Sequence, residues 1–167
     1  MLILDCRWDW VRKWQLWKNY AAYFPINIVK EKDLDPKFNY IIGSHPHGIL
    51  CSGAFCNFAT EGTNISKVFP NILFSMTTLS AQFVMPFYRE FFMSSGSITA
   101  SRKGISHVLQ HSTHGGAAVV IIVGGAPESL DTHPNLDQIT LILKPRKGFI
   151  RLALQHGLVN CYMNQLI

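Results

Sequence analysis

The chain has 167 residues, 48% of them hydrophobic and 15% charged, and a formal net charge of +5. That length suits one domain with a real core and is short for two, and the apolar content excludes a disordered chain. The positive balance fits an anionic lipid surface or a phosphate-bearing small molecule; nucleic acid is not expected, because no helix-turn-helix, zinc-finger spacing or RNA-binding aromatic pair is present.

Residues 7–24, RWDWVRKWQLWKNYAAYF, predict a helix that Pro25 ends. Trp10, Trp14, Trp17, Ala21 and Phe24 recur at spacings of four and three and so share a face, with Arg12, Gln15 and Asn19 directed away. Flanked by Lys13 and Lys18, this stripe reads equally as a helix lying in a lipid headgroup layer or as one packed on the core. No apolar stretch reaches the roughly 18 residues of a membrane span, and the opening MLILDCRWDW lacks the features of a signal peptide.

Residues 38–44 predict a strand that delivers HPHG at its carboxyl end, and residues 48–60 a following helix. A second strand is expected at 71–76, a helix at 79–93 interrupted near Pro86, and another helix at 102–111. The run AAVVIIV at 117–123, with five β-branched residues between glycines, is a buried strand. A further strand at 139–143 and a helix at 148–156 complete the series. Strands alternating with helices predict an α/β fold with a mainly parallel sheet and flanking helices.

In such sheets ligands gather at the carboxyl ends of strands. HPHG sits at one such end and GGAPES, which begins at Gly124 and Gly125, at another, so both turns can face one crevice. A neutral histidine there, His45 or His47, can accept a hydroxyl proton. Pro46 stiffens the turn, and Gly48 admits a ligand close to the backbone. Backbone N–H groups beyond it can hold an oxyanion. Glu128 can orient an imidazole, bind an acceptor hydroxyl, or simply favour a helix start. Lys144, Arg146, Lys147 and Arg151 form either a solvated basic face or a phosphate-attracting one, with Phe149, Ile150 and Leu152 left to bury. No metal is expected: the spacing HxHx3Cx4C from His45 to Cys56 is not a common zinc pattern. The four cysteines, without a CxxC pair, read as reduced thiols facing cytosol. A GxSxG elbow and a GK[ST] phosphate loop are both missing.

YFP (23–25), HPHG (45–48), GAFCNFATE (53–61), VGGAPESL (123–130) and RKGFIRLALQHG (146–157) follow one another in an order and spacing that resembles the type-2 diacylglycerol acyltransferase family, which also includes monoacylglycerol and wax-alcohol acyltransferases. The resemblance runs from about Arg7 to Gly157. It implies a fold similar to that of the glycerolipid acyltransferases and transfer of a fatty acyl group from acyl-CoA, a co-substrate with no further cofactor, to an acylglycerol hydroxyl. It implies a place at the cytosolic face of the endoplasmic reticulum membrane and at lipid droplets. His45 and His47 inherit the active-site role, one as base and one as support. Pro46, Gly48, Gly124, Gly125, Glu128, Arg146, Gly148 and Phe149 are expected to bind or support substrate.

Family members usually begin with a hydrophobic membrane hairpin, and beyond LALQHG they continue into a long second half. Here residues 158–167 diverge as a tail after the main segment 25–157. The resemblance therefore implies a fragment, expected to be poorly stable and impaired in activity. Two other readings remain: a wax-alcohol acyltransferase, and a non-catalytic lipid-binding fragment that forms homo- or hetero-oligomers with full-length relatives. A zinc-dependent hydrolase would require stoichiometric metal.

Overall fold

Strands β1 (Tyr40–His45), β2 (Ile72–Thr78), β3 (Ile98–Thr99), β4 (Gly116–Ile122) and β5 (Val159–Asn164) form one five-stranded sheet in the order β3-β2-β4-β1-β5. Every pairing is parallel. The computed structural model describes residues 6–45, 51–112, 116–131 and 141–164. The β-branched run of the sequence is the central strand β4, where both faces are covered and alternation is not required.

Alternate side chains of the sheet feed two cores. Tyr40, Ile42, Phe74, Met76, Ala118 and Val120 meet Ala54, Phe58, Ile65 and Phe69 on one face. Ile41, Ala117 and Val119 meet Ile105, Val108, Phe149 and Leu152 on the other. The first layer consists of a short helix α3 (Ser52–Ala54), which runs on as a π-turn (Phe55–Ala59), and of α4 (Ile65–Val68). The second holds α6 (Arg102–Gln110), whose first turn is capped when Gly104 N–H donates to the Ser101 hydroxyl, and α8 (Gly148–Gln155).

Several expectations change. The predicted helix over 7–24 is two helices, α1 (Asp9–Arg12) and α2 (Gln15–Tyr23). Trp17 and Ala21 are buried, while Trp10, Trp14 and Phe24 stay exposed, so the five do not share one face. Arg12, expected to point outward, is buried. The predicted helix over 79–93 is a 3₁₀ turn (Ser80–Phe83) followed by α5 (Tyr88–Ser94). The turn expected at GGAPES is helix α7 (Gly125–Asp131); of the strand expected at 139–143, residues 139 and 140 lie outside the described residues and 141–143 are not in a strand. Within the segment read as a tail, β5 extends the sheet by pairing with β1. Among the described residues, no helix is long and apolar enough to cross a membrane.

Candidate active site

β1 and β4 lie side by side with Ser44 opposite Ile122, so their carboxyl ends open at the same level. His45 is the last residue of β1. Past Ile122 the chain turns through Gly124 and Gly125 into α7, which carries Glu128 in its first turn. Gly125 has φ +68°, a left-handed conformation that costs glycine little. A Cβ on Gly124 would collide with the Cβ and carboxyl group of Glu128. The missing side chain of Gly124 is thus the space that Glu128 occupies as it folds back to the sheet.

The carboxylate meets the imidazole there. His45 Nδ1 lies 3.2 Å from Glu128 Oε1 and 3.4 Å from Oε2. Oε2 also accepts the backbone N–H of Ile142 at 3.1 Å. Both side chains are out of solvent, at 2% and 0% exposure. Facing a carboxylate, Nδ1 is the donor position of the ring, and Nε2 is the nitrogen turned away from Glu128. Nε2 is buried and has no hydrogen-bond partner among the described residues. A buried polar atom without a partner is uncommon.

Four residues expected at the site, His45, Gly124, Gly125 and Glu128, are therefore assembled. Pro46, His47 and Gly48 lie outside the described residues. Arg146 reaches the same turn: its guanidinium stands 3.3 Å from where a Cβ of Gly125 would be. Together with Ile121, Val123, Pro145, Gly148 and Phe149 it lines a shallow groove of about 290 Å³ beside the end of β4. Lys144, Lys147 and Arg151 are exposed nearby, and no ion pair among the described residues engages these cations. A larger groove, about 460 Å³ between residues 21–28 and 62–64, has no titratable side chain in its lining.

One buried charge escaped the sequence reading. Arg12 Nη2 stands 3.6 Å from Glu61 Oε1 and donates to Phe58 O, while Nη1 donates to Ser95 O. The only sequence signal was GAFCNFATE itself, an apolar segment ending in a carboxylate.

The diacylglycerol acyltransferase family model matches residues 5–164. Acyl-CoA wax alcohol acyltransferase 1 of Mus musculus is 51% identical over 151 residues, which cover 90% of this chain and 45% of that protein. Diacylglycerol O-acyltransferase 2 of Xenopus tropicalis is 50% identical over 151 residues, covering 90% and 41%. 2-acylglycerol O-acyltransferase 1 of Mus musculus is 44% identical over 151 residues, covering 90% and 44%. The chain thus spans less than half the length of these relatives. No solved structure matches it. With a family match over nearly its whole length, the chain belongs to the diacylglycerol acyltransferase family.

Proposed function

We propose that this chain carries the acyl-transfer site of an acyl-CoA-dependent O-acyltransferase whose acceptor is a neutral-lipid hydroxyl, an acylglycerol first and a long-chain alcohol second. The observation that supports it is the Glu128–His45 contact, with Nε2 of the buried imidazole lacking a hydrogen-bond partner among the described residues. In the proposed reaction Nε2 of His45 takes the hydroxyl proton as the oxygen bonds to the thioester carbonyl carbon. The C–S bond then breaks, and the CoA thiolate recovers the proton from Nε2. His47 is the supporting imidazole, and the exposed cations Lys144, Arg146, Lys147 and Arg151 attract the phosphates of CoA. Gly148 and Phe149, in the groove wall, accompany the thiol arm. The same reading assigns the protein to the cytosolic face of the endoplasmic reticulum membrane and to lipid droplets.

The test replaces the matching segment of the mouse wax alcohol relative with residues 5–164 of this chain, the span of the family match. Acyl transfer from acyl-CoA is then offered both diacylglycerol and a long-chain alcohol. A positioned base contributes about 10²- to 10⁴-fold, and His45→Ala is expected to lose that much in kcat. Equal turnover by the His45→Ala and unmutated chimeras would reject the reading.

A further inference from the structure

Residues 79–88 expose five apolar side chains among the described residues: Leu79 at 69%, Val84 at 80%, Phe87 at 87%, and Met85 and Tyr88 at about half. An aromatic cluster lies beside them. Phe83 and Tyr88 meet Phe92 at a tilt and Phe91 meets it edge-on, with ring centres 6.4, 6.2 and 5.4 Å away, and Phe91 stacks on Phe55 at 5.9 Å. Phe87 has φ +65°, and Tyr88 N–H donates to Pro86 O at 2.8 Å. That is a γ-turn of positive φ, a strained form for a bulky residue. The strained residue exposes its phenyl ring to solvent, and strain of this kind concentrates at functional positions.

The location gives the segment its meaning. Met76 of β2 is opposite Val120 and Ser44 of β1 is opposite Ile122, so Thr78 ends β2 level with Ser44. Leu79 thus leaves the sheet at the edge where His45 stands, about 10 Å away across one intervening strand. Arg102 and Lys103 follow β3, whose Thr99 pairs with Thr78, and they are exposed beside the same edge. Arg89 adds a third exposed cation, while Glu90 is the only acid between Glu61 and Glu128.

We propose that residues 79–88 insert into an anionic bilayer surface, with Leu79, Val84, Met85 and Phe87 among the acyl chains and Arg89, Arg102 and Lys103 at the headgroups. The carboxyl edge of the sheet then faces the lipid. The cations select a lipid surface over an apolar protein groove. That choice rests on the reading that the acceptor is a neutral lipid, but the test does not require turnover.

The 167-residue chain is sedimented with vesicles of phosphatidylcholine containing phosphatidylserine, without acyl-CoA, beside vesicles of phosphatidylcholine alone. Phe87→Gly and the pair Val84→Ser/Met85→Ser are each expected to lower partitioning about tenfold. Phe87→Gly is also expected to raise the thermal midpoint, because glycine relieves the positive φ. Arg102→Gln/Lys103→Gln is expected to weaken binding to the anionic vesicles only. His45→Ala binds as the unmutated chain does, so loss of catalysis and loss of docking are separable. Partitioning unchanged by Phe87→Gly overturns the proposal, as does partitioning that Trp10→Ser alone abolishes. Lipid-free self-association that Phe87→Gly removes identifies a protein interface instead. A Phe87→Gly variant that loses stability together with binding shows a structural role, which also overturns it.

Discussion

Among the described residues, two carboxylates are buried against nitrogen-bearing side chains, one at the amino-terminal helices and one at the sheet edge, and their surroundings differ. Glu61 faces Arg12, and the surrounding groups close the pair: Ser66 donates to Glu61 from both its N–H and its hydroxyl, and Glu61 N–H donates to Arg12 O. Burial pushes the Arg12 guanidinium down to about 10, with Arg7 adding to the effect and Glu61 opposing it. It therefore stays charged at neutral pH. Its one unpartnered atom among the described residues, Nε, is a donor with no lone pair to offer. Glu128 faces His45 instead, where Nε2 has no hydrogen-bond partner among the described residues and, in the proposed reaction, takes the hydroxyl proton. Burial and a carboxylate close a clasp around Arg12, and in the proposed reaction they hold a base at His45; a guanidinium offers only N–H donors, whereas an imidazole can keep a lone pair.

The sharpest way to break the comparison is to remove one half of the clasp. Glu61→Ala leaves a buried guanidinium unpaired and is expected to cost about 3–5 kcal/mol in urea unfolding, whereas Arg12→Met with Glu61→Leu recovers most of that. Gly124→Ala acts on the other pair by sterics. The new Cβ displaces Glu128, with an expected loss of about 1–3 kcal/mol in stability and a fall in acyl transfer by the chimera. Trp10→Ser tests the exposed face of the amino-terminal helices. That side chain is solvated, so thermal unfolding is expected to change by no more than about 0.5 kcal/mol.

The alternation of strands and helices was legible because most elements carry their own periodicity, and the central strand declares itself as an apolar β-branched run. The carboxyl-edge rule was enough to place His45 and the start of GGAPES at the same end of the sheet. What the sequence hid depends on partners far along the chain. Arg12 looks like a surface residue on a helix until Glu61, Phe58 and Ser95 enclose it. β3 is two residues long and exists only through its pairing with Thr77 and Thr78. The left-handed Phe87 has no sequence signal at all, since its type argues against that conformation.

The central claim is that Glu128 acts through His45, and a double-mutant cycle in the chimera tests it most directly. His45→Ala, Glu128→Gln and the double variant are compared by kcat for acyl transfer. If the carboxylate serves only to hold the imidazole, the double variant loses no more than His45→Ala alone. Losses that multiply would show that the two residues act independently, and would contradict the account.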